Sequence, residues 1–201
     1  LLAAIPFPVT AEAATTTTVL PCGARTLRTP YTRLGDANDY WLLQGGDFEA
    51  NGDLTYGTTA QYGIWTATNN GFGVSPANGN EPWYATGRTT DSMSLHVSPP
   101  SSIQSPIFCA GGHENVFRFN YYTLARAGSS LEVWANIQET GQTYRVASLP
   151  SGTSPGWTTS PPLKLWDLGA YTQVHVVLTF KPIGSEIWMD DVFIDPFRSC
   201  C

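Results

Sequence analysis

Three segments in the second half of the chain alternate apolar and polar residues with a strict period of two. In Leu131 to Gln138, the residues Leu131, Val133, Ala135 and Ile137 fall on one side, with Glu132, Trp134, Asn136 and Gln138 on the other. In Val116 to Thr123, Phe117, Phe119 and Tyr121 oppose Arg118 and Asn120, and Val174, Val176, Leu178 and Phe180 repeat the pattern in a third segment. Successive strand residues point to opposite faces, so this pattern specifies strands buried on one face and cannot serve a helix. No stretch of useful length carries the helical period. Asn51-Gly52, Asn70-Gly71 and Asn78-Gly79 mark turns. Shorter strands are expected at Tyr40 to Gln44, Ile64 to Thr68, Phe72 to Ser75, Trp83 to Ala85 and Ser92 to Val97, the last ended by Pro99-Pro100. A final strand runs to Asp195, and uninterrupted alternation would set Trp188, Asp190, Val192 and Ile194 on one face. Many short strands separated by frequent turns predict an all-β protein, an antiparallel β-sandwich.

With 201 residues, 42% of them apolar, the chain can bury one substantial core. The expected organisation is an arm over residues 1–18, a sandwich over 19–198 and a cysteine tail over 199–201. Charged residues make up 13%, against about 25% in an ordinary soluble protein. A net charge of -6 with no basic run excludes nucleic acid, whose phosphates need cationic partners, and is unsuited to an anionic membrane surface. Leu1 to Thr18 is an apolar piece followed by Ala11-Glu12-Ala13, a pattern of signal cleavage, so an exported, extracellular or surface protein is expected. Pro6 and Pro8 interrupt it, and it is too short to span a membrane. The four cysteines, Cys22, Cys109, Cys200 and Cys201, lack zinc-ligand spacing. Vicinal pairing of Cys200 with Cys201 would be strained, so Cys22 with Cys109 is the preferred disulfide. Cys200 and Cys201 then either pair with another chain or form a loose end.

Two motifs carry a family resemblance. Leu42-Leu43-Gln44-Gly45-Gly46-Asp47-Phe48-Glu49 with Gly63-Ile64-Trp65, and Glu186-Ile187-Trp188-Met189-Asp190-Asp191-Val192-Phe193-Ile194-Asp195, resemble the opening and closing strands of jelly-roll modules of the galactose-binding and carbohydrate-binding kind. The resemblance implies Phe48 and Trp65 as core anchors, with Glu49 and Asp190 meeting where the first and last strands lie side by side. It also implies a structural calcium ion held by Glu49, Asp190 and Asp191, since a hard cation takes several oxygen donors. Asp47 is a weaker donor, because alternation puts it opposite Phe48. Without a metal, Asp190 would accept hydrogen bonds from backbone or arginine. Val19-Leu20-Pro21-Cys22-Gly23, Gly79-Asn80-Glu81-Pro82-Trp83-Tyr84, Ser105-Pro106-Ile107-Phe108-Cys109 and Asp190 through Arg198 resemble a group of small secreted bacterial proteins. That second resemblance implies secretion and a sandwich, and supplies no activity.

Two functions fit. The first is a structural subunit that self-associates into an extracellular filament or surface layer. Thr15, Thr16, Thr17, Thr18, Val19 and Leu20 are strongly β-prone and would add as a strand to a neighbour's open sheet edge, while Cys200 and Cys201 link chains. Such a head-to-tail contact does not close on itself and makes filaments. The second is a carbohydrate-binding module. Here Trp134 among Glu132, Asn136 and Gln138 grips a glycan, His175 on the polar face of another strand joins it, and Trp83-Tyr84 is a further ligand-contacting pair. The sequence gives no support for catalysis: His96, His113 and His175 are scattered, Gly111-Gly112-His113-Glu114 reads as a turn, and neither H-E-x-x-H nor G-x-S-x-G occurs.

Overall fold

A computed structural model of the protein describes residues 22, 25–49, 54–57, 60, 63–76, 92–111, 115–165 and 173–195. The arm with Thr15 to Leu20, the Trp83-Tyr84 pair, His113, Glu114 and the Cys200-Cys201 tail lie outside the described residues. Among the described residues the strands are β1 (Trp41–Leu42), β2 (Leu54–Tyr56), β3 (Trp65–Ala67), β4 (Phe72–Pro76), β5 (Met93–Val97), β6 (Ile103–Gln104), β7 (Phe108–Gly111), β8 (Val116–Thr123), β9 (Ser130–Ile137), β10 (Gln142–Pro150), β11 (Gly156–Thr159), β12 (Leu163–Lys164), β13 (Gln173–Ile183) and β14 (Ile187–Asp195). They form two seven-stranded sheets, and the fold is the expected all-β sandwich. The first sheet runs β11-β8-β14-β5-β4, with β1 beside β14 and β12 beside β8. The second runs β10-β9-β13-β6-β3-β2, with β7 beside β13. Pairing is antiparallel except between β2 and β3.

The strands read from alternation supply the core. Leu95, Val97, Phe117, Phe119, Ile187 and Met189 of the first sheet meet Trp65, Leu131, Val133, Val176, Leu178 and Phe180 of the second, all buried. The Phe119 and Phe180 rings touch edge to face across the layers at 5.1 Å, a favoured aromatic geometry. Phe48 and Trp65 are the anchors expected, 3% and 0% exposed with ring centroids 5.0 Å apart. The Trp65 indole donates to the Gln44 carbonyl at 2.9 Å.

The glycine motif has a steric cause. At Gly46 a Cβ would lie 2.9 Å from the Leu43 carbonyl oxygen and 3.2 Å from that of Val192. The Val192 amide donates to Gly46 and the Leu43 amide donates to Val192. These bonds extend the pairing of β1 with β14, so the first and last strands do lie side by side.

Uninterrupted alternation fails in the last strand. Register breaks between Asp190 and Phe193, and Asp191 takes a left-handed φ of 56°. A β-bulge of this kind inserts an unpaired residue and re-aims those that follow. Val192 and Ile194 therefore enter the core with Ile187 and Met189, while Trp188 points to the opposite, outer face. The single face of Trp188, Asp190, Val192 and Ile194 is corrected accordingly.

A disulfide joins Cys22 to Cys109 on β7, with Cα atoms 5.3 Å apart, as the sequence predicts. Closing a loop of 87 residues stabilises by about 4 kcal/mol on the chain-entropy account. From this tether the segment 25–40 crosses to the outer face of the first sheet. Paired amide-carbonyl bonds between Arg28 and Tyr40 close the segment on itself, and Arg118 of β8 holds it to the sheet by donating to Asp36.

Candidate functional site

Four aromatic side chains stand in one register across four adjacent strands of the first sheet. Trp157 of β11 faces Tyr122 of β8, Tyr122 faces Trp188 of β14, and Trp188 faces His96 of β5. All four are half-buried. Ring centroids are 5.9 Å apart for Trp157 and Tyr122, 5.5 Å for Tyr122 and Trp188, and 4.6 Å for Trp188 and His96. With neighbouring strands roughly 4.8 Å apart, the row extends about 14 Å across the sheet. Its rings are not coplanar: Tyr122 stands at 89° to Trp188 and at 64° to Trp157, whereas His96 is tilted 33° from Trp188. The next position in register, Gly73 on β4, leaves open space where a side chain would begin.

Two residues along the strands from the row, the turns at the end of the sandwich border an open cleft of about 380 Å³ lined by Ser98, Pro99, Arg126, Gly184, Ser185 and Glu186. A Glu186 carboxylate oxygen lies 2.9 Å from His96 Nε2 and 3.5 Å from the Ser98 hydroxyl, which joins the cleft to the row. Ser185 is 5% exposed, and its hydroxyl has no hydrogen-bond partner among the described residues.

The other end of the same outer face is closed. Segment 25–40 lies over it, and Arg118 of β8 is held there from three sides. Its Nη1 donates to Asp36 at 2.8 Å, its Nε donates to the Ser160 carbonyl at 3.1 Å, and its guanidinium lies 4.5 Å from the Tyr31 ring centroid. Tyr40 donates to the same Asp36 oxygen at 2.7 Å. Tyr31, Tyr40 and Phe193 form a separate buried cluster under this strap. Partial burial opposes the charge on Asp36. Hydrogen bonds from Tyr40, the Asn38 amide and Arg118, with the guanidinium charge, still hold its carboxyl below the usual range. Burial, reinforced by the Asp191 charge, pushes the Tyr31 phenol well up.

The residues assigned to calcium have other engagements. Glu49 accepts from the Ser92 amide at 2.8 Å and the Met93 amide at 2.7 Å, capping the start of β5. Asp190 Oδ1 accepts from the Asp191 amide at 2.8 Å, Asp191 Oδ2 accepts from the Asn120 side chain at 3.0 Å, and Asn120 accepts from Thr159 at 2.7 Å. These bonds shape the bulge that turns Val192 and Ile194 back into the core. Among the described residues no group of three or more His, Cys, Asp or Glu side chains is arranged to hold a metal ion.

On the second sheet Trp134 does project outward and is half-buried. Its polar neighbours are engaged with one another: the Trp134 indole and Arg145 both donate to Glu132 at 3.1 Å, Asn136 donates to Thr143 at 2.7 Å, and Gln138 donates to Asn136. His175 does not join them. It is buried, with Nδ1 2.7 Å from Glu139 and its amide donating to the same carboxylate.

No family model and no curated protein matches the chain. Solved structures similar to it include TmCBM61 in complex with β-1,4-galactotriose, at 11% identity over 79% of this chain and 98% of that one, with a TM-score of 0.42. The CBM22-1 xylan-binding domain from Paenibacillus barcinonensis Xyn10C is 14% identical over 71% of this chain and 91% of its own, with a TM-score of 0.44. A CBM29-2 variant complexed with cellulohexaose is 10% identical over 50% and 68% of the two chains, with a TM-score of 0.39. Fold and surface together define a disulfide-tied β-sandwich with an aromatic outer face.

Proposed function

We propose that the protein is a non-catalytic, exported glycan-binding sandwich and that its ligand lies on the row Trp157, Tyr122, Trp188 and His96. The carrying observation is the row itself: rings from four adjacent strands, in one register, on the part of the face that the strap leaves uncovered. The C–H face of a sugar ring is apolar and slightly electropositive, so it stacks on the electronegative face of an aromatic ring. Rings that rotate from strand to strand fit a single twisted glycan chain better than a flat crystalline surface. The low charge of the whole chain and its net -6 suit a neutral ligand. The disulfide fits an oxidising compartment, and no helix among the described residues is long and apolar enough to cross a membrane.

Nothing in the described residues supports the filament reading. The edge strand β10 carries a bulge between Arg145 and Ala147 and ends at Pro150, devices that discourage edge-to-edge addition. Titration calorimetry with cellohexaose, xylohexaose and β-1,4-galactotriose tests the proposal. Trp188→Ala should weaken binding about thirtyfold, the ~2 kcal/mol of a central aromatic anchor. Wild-type protein that binds none of these sugars, or a variant that binds as well as wild type, removes the row as the site.

A further inference from the structure

We infer that the ligand is a branched neutral glycan whose main chain lies on the ring row and whose pendant sugar enters the cleft beside it. This rests on the glycan-binding reading above and adds the shape and charge of the ligand.

The row runs across the strands, from β11 to β5. The cleft does not continue it. Glu186 precedes Trp188 by two residues on β14's side of the turn, and Ser98 follows His96 by two, so the cleft lies off the row along the strand direction. An unbranched chain following the rings passes the cleft by. A substituent leaving the main chain at the Trp188 and His96 step enters it.

Its size agrees. About 380 Å³ is near the lower end of ordinary ligand pockets, which begin near ~300 Å³, and suits one sugar unit rather than a chain segment.

Its chemistry selects a neutral polyol. Arg126 is exposed and its guanidinium has no ion pair or side-chain hydrogen bond among the described residues, so it is available to donate. Glu186, 37% exposed at its side chain, accepts. Vicinal hydroxyls both accept and donate, and so use both groups. An anionic sugar would satisfy Arg126 and be opposed by Glu186.

The test compares linear and branched glycans of the same backbone by calorimetry: cellohexaose against xyloglucan oligosaccharides, xylohexaose against arabinoxylan oligosaccharides, and linear against galactosylated mannan oligosaccharides. Wild-type protein should bind the branched member of at least one pair at least tenfold tighter. Arg126→Ala, at an exposed position where folding is untouched, should abolish that preference and leave affinity for the linear member within twofold. Equal affinities within every pair, or a preference that survives Arg126→Ala, overturns the inference while leaving the ring row standing. If wild-type protein binds no member of any pair, the glycan reading fails and the inference with it.

Discussion

The outer face of the first sheet carries two aromatic clusters with opposite fates. At one end, Tyr31, Tyr40 and Phe193 are 0%, 1% and 1% exposed beneath the strap 25–40, and the one cation among them, Arg118, is paired with Asp36. At the other end, Trp157, Tyr122, Trp188 and His96 have the same strands beneath them and remain half-buried. Aromatic content therefore does not distinguish buried core from half-exposed surface; among the described residues, the strap does. The cluster beneath the strap stabilises the sandwich, and the rings beyond the strap keep part of their surface accessible.

The largest test removes the tether of the strap. Cys22→Ser should cost about 4 kcal/mol in urea unfolding and leave affinity for glycan within twofold, because the tether serves only the covered end. Loss of binding in a folded Cys22→Ser protein would show that the two ends are coupled. Arg118→Ala comes next, at roughly 2 kcal/mol, since it removes the charged one of three donors from a partly buried Asp36. A cost below 1 kcal/mol would mean that the strap is held by packing alone.

Acid provides a smaller effect with a defined sign. The Asp36 carboxyl is depressed in the folded protein, so its contribution is complete above the ordinary carboxylate pKa of 3.8 and is lost as pH falls below it. Asp36→Asn should flatten the acid limb of a melting-temperature profile below about pH 4. An unchanged limb would assign acid unfolding to the buried carboxylates of β14. The smallest expected change is that of Trp134→Ala, which should alter glycan affinity less than twofold; a loss matching that of Trp188→Ala would move the site to the second sheet.

Alternation makes β8, β9 and β13 legible in the sequence, and with them the sandwich and most of its core. Trp134 stands out for the same reason, because its polar neighbours are close in sequence. The ring row is not legible that way. Its members sit at positions 96, 122, 157 and 188, and only the pairing of four strands brings them together. Trp157 lies in Ser154-Pro155-Gly156-Trp157, which reads as a turn, yet β11 begins at Gly156. Trp188 is lost to strict alternation because the bulge at Asp191 reverses the faces after it. The adjacent aspartates are the available signal: buried polar residues inside an otherwise apolar strand mark a break in the ladder. Strands β2, β6, β7 and β12 escape because two to four residues are too few to show a period.

Gly73 continues the register of the rings beyond His96, and a side chain there would meet nothing within 4 Å. Glycine inside a strand is otherwise unfavourable by roughly 0.5 to 1 kcal/mol. Replacing it with tyrosine or tryptophan would thus add a fifth ring to the row without disturbing the interior. The length of the aromatic face is therefore adjustable at a single position, independently of the contacts that keep the sandwich folded.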